Sequence, residues 1–139
     1  MRILLRIAYD GTNYCGFQSQ VNGIAIQDVI EEAIRDLLGV RIRILSASRT
    51  DAGVHSLGNV ISFQSEKEVR VNEINNSLPD DIQILASAPV RYAFKPRYAQ
   101  MRQYRYMLFQ DLDVDKLNEV AEIFKGTHNF TNFTKRFRY

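Results

Sequence analysis

The order of the periodic segments along the chain constrains its fold more than any other feature of the sequence. Apolar side chains alternate with others over residues 2–9, which predicts a β-strand that ends at the Asp10-Gly11 turn. The period then changes, because the apolar residues between 26 and 38 share one face of a helix that Gly39 would end. These helix residues are Ile26, Val29, Ile30, Ala33, Ile34, Leu37 and Leu38. The chain therefore begins with a strand and an amphipathic helix.

Two further strands, a second helix and a fourth strand follow. The stretches VRIRILSAS (residues 40–48) and NVISFQS (residues 59–65) are typical of strands, with a glycine-bearing loop between them. A short helix that Pro79 would end precedes another strand in residues 81–88. Strand, helix, strand, strand, helix, strand is the order of a split βαβ unit. We therefore predict an α+β fold, a ferredoxin-like split βαβ layer of helices on an antiparallel sheet.

Residues 102–110, RQYRYMLFQ, predict one more strand, and a last helix follows it. Asp113 is suited to cap that helix. The side chains expected to face inward are Leu117, Val120, Ala121 and Phe124, with Gly126 behind the helix. The final stretch, GTHNFTNFTKRFRY, leaves its aromatic residues with no further element to pack on, which predicts a truncated chain or a missing second half. Those aromatic residues are Phe130, Phe133, Phe137 and Tyr139.

Composition excludes several classes of protein. With 139 residues, 45% of them hydrophobic and 24% charged, the chain is typical of one globular domain rather than of a disordered or fibrous protein. A single cysteine, Cys15, excludes an internal disulfide and a thiolate metal cluster. His55 and His128 have no further ligand at metal-binding spacing. The apolar stretch at the amino terminus is too short for a signal peptide or membrane span, and it contains Arg2 and Arg6. We therefore expect a soluble cytoplasmic protein with neither a metal nor a membrane partner.

Asp51, in the stretch SRTDAGVH, is a candidate catalytic carboxylate. Gly53 permits a tight turn there. Arg49 would keep the carboxylate ionised, as a nucleophile or base requires, and would offer donors to phosphate or base edges. The alternative is a turn aspartate that bonds nearby backbone N–H groups, beside a surface ion pair of little energetic value. The residues alone leave both interpretations open.

Residues 91–110 contain five Lys or Arg residues and no acidic residue. The basic residues are Arg91, Lys95, Arg97, Arg102 and Arg105, and they alternate with Tyr92, Phe94, Tyr98, Tyr104 and Tyr106. Positive charge beside aromatic rings suits a single-stranded or flipped-out RNA base. Cross-strand aromatic packing with solvated arginines is the alternative.

Four stretches taken together resemble the TruA family of tRNA pseudouridine synthases. They are YDGTNYCGFQSQ, SRTDAGVH, NNSLPDDI and FKPRYAQMRQYRY, and they occur in the family's order over almost the whole chain. Such motif matches count when their structural context also fits. The resemblance implies the first half of a pseudouridine synthase fold. It also implies an isomerase that converts uridine to pseudouridine in the anticodon stem-loop of tRNA.

By this resemblance, Asp51 is the catalytic aspartate. The bond from ribose to N1 of uracil breaks and re-forms at carbon 5, after the target uridine has been flipped out of its stack. The carboxylate either attacks C1′ or takes a proton from the sugar, and the sequence leaves both routes open. Neither route needs a metal or an organic cofactor.

The resemblance implies RNA-binding roles for five more residues. Arg49 would fill the space that the flipped base leaves and would help to orient the catalytic aspartate. Tyr104 would stack on the flipped uracil and could relay the proton from carbon 5. Arg97 would pair with a carboxylate or phosphate in the pocket, and the catalytic aspartate is a plausible partner. Thr50 and Arg102 complete this set of substrate-binding residues.

The chain departs from the family pattern in sequence and in length. Ser48 stands where glycine is usual, Cys15 where histidine is common and Asn59 where glutamine is common, and we expect all three to be tolerated. Family members continue for about another hundred residues, a typical domain's worth. We therefore expect residues 1–110 to form the ferredoxin-like half of the catalytic domain. Residues 111–139 would form a helix and tail that lead into an absent second half, and the full-length protein would be a homodimer.

Two other functions stay open at this point. The chain could be a non-catalytic RNA-binding ferredoxin-like module that holds RNA through its basic aromatic stretch. It could also be a nucleoside glycosidase that uses Asp51 to cleave the N-glycosidic bond, in which case free uracil would be the product.

Overall fold

A four-stranded antiparallel sheet forms the centre of the computed structural model, which describes residues 1–134. The strands are β1 (Arg2–Tyr9), β2 (Leu45–Ser46), β3 (Ser56–Gln64) and β4 (Ile82–Val90), and they lie in the order β2-β3-β1-β4. Helix α1 (Ile26–Leu38) connects β1 to β2, and the short helix α2 (Val71–Asn75) connects β3 to β4. Each neighbouring pair of strands is antiparallel. This is the order of a split βαβ unit, so the predicted α+β, ferredoxin-like fold is confirmed.

The two periodic segments that open the sequence form the core of this layer. In β1 the odd-numbered side chains Ile3, Leu5, Ile7 and Tyr9 are buried, as the period of two predicts. The buried face of α1 belongs to the same hydrophobic core and consists of Ile26, Ile30, Ala33 and Ile34. Gly39 ends the helix in the left-handed conformation, with φ at 71° and its N–H bonded to the Arg35 carbonyl. Both elements therefore match the sequence-based prediction.

The strand predicted over residues 40–48 is wrong except at Leu45–Ser46, which pair with β3. The backbone N–H of Ile44 donates to the Glu31 carboxylate on α1, 3.0 Å away. The residue just before β2 is thus tied to helix α1, and the pairing with β3 is limited to Leu45–Ser46. Just after β2, the Ala47 N–H still bonds to the Val60 carbonyl at 2.8 Å.

Other element boundaries differ by a few residues from the prediction. β3 begins at Ser56 rather than at residue 59, so it includes part of the predicted loop. Helix α2 ends at Asn75, and a turn in which the Leu78 N–H bonds to the Asn75 carbonyl leads to Pro79. Such shifts are normal, because the hydrogen bonds at the ends of a helix or strand are the weakest and the sequence pattern fades there.

The strand predicted over residues 102–110 is also wrong. Residues 101–109 have no regular secondary structure and are exposed, and no strand within residues 1–134 pairs with them. A period of two predicts a strand only where a neighbour takes up the backbone hydrogen bonds. Met101, Tyr106 and Phe109 are among the exposed large side chains of this segment.

The structure divides into two units, Met1–Gln103 and Tyr104–Tyr139. The second unit contains helix α3 (Val114–Ile123), and the Asp113 side chain caps it by accepting a hydrogen bond from the Lys116 N–H at 3.0 Å. Gly126 follows the helix with φ at 94°. The cap is therefore confirmed.

The expected inward face of α3 is wrong, because none of its residues is buried. Leu117, Val120 and Phe124 are 45%, 48% and 42% exposed. Phe130 and Phe133, which were expected to have no packing partner, instead lie against Phe124, with ring centres 6.4 and 5.3 Å from it. A small aromatic cluster at the end of the helix thus replaces the expected buried stripe. The expectations for Phe137 and Tyr139 lie outside the described residues.

We predict that replacing Leu5 by alanine lowers the free energy of unfolding by about 2–5 kcal/mol, since Leu5 is completely buried in the central strand. Leu57→Ala is the matched control, because Leu57 is 82% exposed, and it should change the free energy by less than about 0.5 kcal/mol. Denaturant unfolding of the two variants measures both values. Equal losses would contradict the assigned core.

Candidate active site

Two loops meet at one edge of the sheet. The N-terminal loop (residues 10–25) follows β1, and the aspartate loop (residues 47–55) precedes β3. Since β1 and β3 are antiparallel neighbours, with Tyr9 opposite Ser56, the end of one lies beside the beginning of the other. The sheet topology therefore brings together two of the stretches that the sequence singles out.

Asp51 is the first residue of a tight turn in the aspartate loop. The Val54 N–H donates to the Asp51 carbonyl at 3.2 Å, which closes the turn. Gly53 occupies the third position with φ at 77°, the conformation that a type II turn requires there. The predicted role of Gly53 is thus confirmed, and the Asp51 side chain is exposed at the head of the turn.

The N-terminal loop holds the aspartate loop through three hydrogen bonds, and the end of β1 adds a fourth. The Phe17 N–H donates to the Thr50 carbonyl at 2.9 Å, and the Gly53 N–H donates to the Tyr14 carbonyl at 3.4 Å. The Gly11 N–H donates to Nδ1 of His55 at 3.1 Å. In addition, the hydroxyl of Tyr9, the last residue of β1, shares a hydrogen bond with the Thr50 hydroxyl at 2.8 Å. The backbone around Asp51 is therefore held on both sides of the turn.

Two glycines allow the loops to approach this closely. A Cβ atom on Gly11 would lie 2.1 Å from the carbonyl oxygen of Val54, far inside contact distance. A Cβ on Gly16 would lie 2.9 Å from the Thr50 oxygen, and Gly16 also has φ at 113°. Any side chain at either position would push the N-terminal loop away from the aspartate turn, the turn of residues 51–54 within the aspartate loop.

Tyr14 connects the N-terminal loop to the beginning of β4. Its hydroxyl donates to Oδ1 of Asp81 at 2.6 Å, and the Asp10 N–H donates to the Asp81 carbonyl at 2.9 Å. Burial of the ring and, to a smaller extent, the hydrogen bond to Asp81 raise the pKa of Tyr14. The hydroxyl therefore stays protonated and acts as the donor. The N-terminal loop is thus fixed to the sheet as well as to the aspartate loop.

An exposed polar cluster lies where the loops leave β1 and β3. The Asp10 carboxylate accepts hydrogen bonds from the Thr12 hydroxyl and N–H, which lower the pKa of Asp10, and it lies 3.0 Å from Nδ1 of His55. His55 therefore has a hydrogen-bonding role in this cluster. Asp10 and His55 line an open groove at the sheet edge, together with Leu57 and Asp81.

The structure does not bring the two predicted arginine partners of Asp51 into contact with it. Within residues 1–134, the Asp51 carboxylate makes no ion pair and no side-chain hydrogen bond, to Arg49 or to Arg97. Arg49 and Asp51 are both exposed and separated by one residue, Thr50. Pairing of either arginine with the aspartate stays a prediction.

Arg97 and Arg102 lie on the segment after β4. The Arg102 guanidinium donates to the Ala47 carbonyl at 2.8 Å and to the Arg97 carbonyl at 2.6 Å, so it ties this segment to the start of the aspartate loop. The Arg97 guanidinium donates to the Tyr98 hydroxyl at 2.6 Å and lies 4.7 Å from that ring's centre. This contact lowers the pKa of Tyr98. Tyr104 begins the second unit and is 70% exposed.

Two of the departures from the family pattern contact each other. The Asn59 side-chain amide donates to the Ser48 carbonyl at 3.0 Å, and its oxygen accepts from the Ser48 N–H at 3.2 Å. Asn59 is buried, and this pairing continues the hydrogen bonding between the two strands where β2 has ended. The segment that leads into Arg49 is therefore anchored to β3.

Sequence reasoning missed the contacts that Tyr9, Tyr14 and Asp81 make. YDGTNYCGFQSQ indicates only an irregular loop, since nothing local in it shows that Tyr14 contacts a residue near position 80. The resemblance was the one available signal, because it placed YDGTNYCGFQSQ and NNSLPDDI in one family pattern with SRTDAGVH.

Neither a metal-binding cluster nor a membrane-spanning helix occurs among the described residues. Within residues 1–134, no three His, Cys, Asp or Glu side chains are arranged to hold a metal ion. No helix in the same range has the length and apolar character needed to cross a membrane.

A family model described as tRNA pseudouridine synthase matches residues 6–99, which contain both loops and most of the sheet. The chain belongs to this family. The TruA resemblance is also reflected in the curated relatives, which are called tRNA pseudouridine synthase A. The protein of Methanobrevibacter smithii is 69% identical over 99% of this chain and 49% of its own length. That of Methanothermobacter thermautotrophicus is 44% identical over 97% of this chain and 51% of its own length.

A bacterial relative extends the comparison. The tRNA pseudouridine synthase A of Pelobacter propionicus is 40% identical over 94% of this chain and 63% of its own length. The chain thus spans about half the length of the first two curated relatives and somewhat more of the third.

We predict that Gly11→Ala lowers the free energy of unfolding by about 1–3 kcal/mol, because the new methyl group would overlap the Val54 backbone. Gly58→Ala is the matched control. A Cβ there would meet only the mobile end of the Arg6 side chain, 3.0 Å away, and should cost less than about 0.5 kcal/mol. If thermal or denaturant unfolding finds the two variants equally stable, the close approach of the loops is wrong.

Proposed function

We propose that the full-length protein that contains this chain isomerises uridine to pseudouridine in the anticodon stem-loop of tRNA. Asp51 is the catalytic carboxylate in this proposal. The observation that carries this proposal is the aspartate turn itself: an exposed carboxylate on a backbone held by hydrogen bonds from a neighbouring loop. Family membership and the names of the relatives support the reaction type. The chain spans about half of those relatives, so the activity is assigned to the full-length protein.

The proposed reaction needs one ionised carboxylate and no external reactant. The bond between C1′ and N1 breaks with its electron pair on uracil, the base rotates, and carbon 5 bonds to C1′. Carbon 5 then loses its proton and N1 gains one, so the product is an isomer of the substrate. Asp51 acts either by attacking C1′ or by taking a proton from the sugar. Its exposure leaves the carboxylate accessible to a flipped nucleotide.

RNA binding is assigned to the basic and aromatic side chains near the aspartate loop and after β4. Arg49 is exposed two residues before Asp51, a suitable place from which to fill the gap left by a flipped base. Exposed Tyr92 and Tyr98 offer rings for stacking, and Arg97 and Arg102 supply positive charge beside them. Since Arg102 already bonds two backbone carbonyls, we infer that it also fixes the shape of this surface.

Tyr104 is proposed to stack on the flipped uracil and to relay the proton from carbon 5. Its exposed ring is compatible with stacking on a base. A homodimer in the full-length protein and a cytoplasmic location complete the proposal, and both derive from the family resemblance.

We predict that Asp51→Asn in the full-length protein lowers pseudouridine formation by at least about 100-fold, because the amide can neither attack C1′ nor accept the proton. The assay is tritium release from tRNA labelled at uracil carbon 5. RNA affinity should change by less than about threefold, since one exposed carboxylate contributes little to binding a polyanion. Asp111→Asn, which alters a carboxylate outside both loops, is the control and should retain full activity.

Analysis of the products of the same reaction separates the alternatives. Free uracil in place of pseudouridine would identify a glycosidase, and RNA binding by the full-length protein without any base change would identify a binding module. Tritium release that survives Asp51→Asn would contradict the assigned catalytic residue.

A further inference from the structure

We propose that Tyr9 is a positioning residue for Asp51, which it holds through the hydroxyl of Thr50; this inference rests on the proposed function. The Tyr9 and Thr50 hydroxyl oxygens lie 2.8 Å apart, a normal distance for a hydrogen bond between hydroxyl groups. The Tyr9 side chain itself is buried at the end of β1.

The Tyr9 hydroxyl is placed by the sheet rather than by a loop. Tyr9 pairs with Ser56 of β3 on one side and with Ile82 of β4 on the other, so its backbone is fixed between two strands. Its ring packs within the core against Phe17, with ring centres 6.1 Å apart. A tyrosine has only two side-chain torsions, and packing of this kind restricts both of them. The hydroxyl is therefore a rigid point of reference for the aspartate loop.

Thr50 receives two independent constraints. Its side chain bonds to the Tyr9 hydroxyl, and its carbonyl accepts the Phe17 N–H at 2.9 Å. That carbonyl belongs to the planar peptide group that also contains the nitrogen and Cα of Asp51. Fixing both the side chain and the carbonyl of Thr50 thus fixes the Cα from which the catalytic carboxylate extends.

This arrangement changes the role expected for Thr50. The family resemblance places Thr50 among the RNA-binding residues, but an RNA contact with its hydroxyl would compete with the bond to Tyr9. A displacement of about 1 Å at a reacting group can cost about 100-fold in rate. The Tyr9–Thr50 bond is therefore assigned to the placement of Asp51 and not to tRNA affinity.

Four variants of the full-length protein test this inference. Thr50→Val and Tyr9→Phe each remove one hydroxyl while retaining shape, and each should lower kcat about tenfold, because the second bond, from Phe17, remains. The KM for tRNA should stay within about twofold of the unaltered protein. Thr50→Ser keeps the hydroxyl and should retain most of kcat. The double variant Tyr9→Phe, Thr50→Val should be no slower than the slower single variant, since both changes remove one shared bond.

Ser65→Ala controls for a general loss of stability. The Ser65 hydroxyl bonds to the Lys67 backbone just after β3, at the opposite end of that strand from the aspartate loop. This variant should melt at a lower temperature and keep its kcat. All kinetic values are measured below the melting midpoint of every variant. If Tyr9→Phe does not fold, the comparison of kcat between Thr50→Val and Thr50→Ser tests the inference.

Each outcome has a distinct meaning. An unchanged kcat with a raised KM in Thr50→Val would overturn the inference and make Thr50 an RNA contact. Rate losses that multiply in the double variant would also overturn it. Inactive full-length protein, with all residues unaltered, would overturn the proposed function and this inference together, whereas an active protein whose kcat withstands Thr50→Val would overturn this inference alone.

Discussion

The hydrogen bond from the Phe17 N–H to the Thr50 carbonyl is the interaction on which the geometry of the candidate site depends. It joins the loop after β1 to the loop before β3, and its acceptor lies in the same peptide group as the Asp51 nitrogen. Gly16 permits it, because a Cβ on that residue would meet the Thr50 oxygen at 2.9 Å. Without this bond, the aspartate turn would be held only by the Tyr9–Thr50 hydroxyl bond and by the bond from the Gly53 N–H to the Tyr14 carbonyl.

The antiparallel sheet makes that bond possible by placing the two loops side by side. The family model covers residues 6–99 and therefore matches both loops and most of the sheet. Pairing of Asn59 with Ser48 extends the same support to the segment that precedes Arg49. A common scaffold thus holds the backbone from which the Asp51 carboxylate extends.

The elements that could be predicted from the sequence are those whose pattern is local and whose neighbours are apolar. β1 and α1 agree with the prediction, because burial on one face imposes a period that the sequence displays. The strand over 40–48 is reduced to Leu45–Ser46, and the Ile44 N–H just before it bonds to Glu31 of α1, a contact that no local pattern reveals. The tyrosine-rich segment after residue 101 shows the reverse: its alternation is real but has no neighbouring strand within residues 1–134. The contacts of the candidate site could not be predicted for the same reason: the Tyr9–Thr50 bond joins residues 41 positions apart, and no spacing rule in the sequence indicates it.

Amide hydrogen exchange at Phe17, followed by NMR, measures how firmly the N-terminal loop is bound to the aspartate loop. We expect the Phe17 amide to exchange within about tenfold of the rate at Leu5 in the middle of β1, because opening the loop contact requires opening the sheet edge. Val21, fully exposed in the same N-terminal loop, should exchange much faster and provides an internal reference. Exchange at Phe17 as fast as at Val21 would show that the N-terminal loop does not hold the turn that carries Asp51.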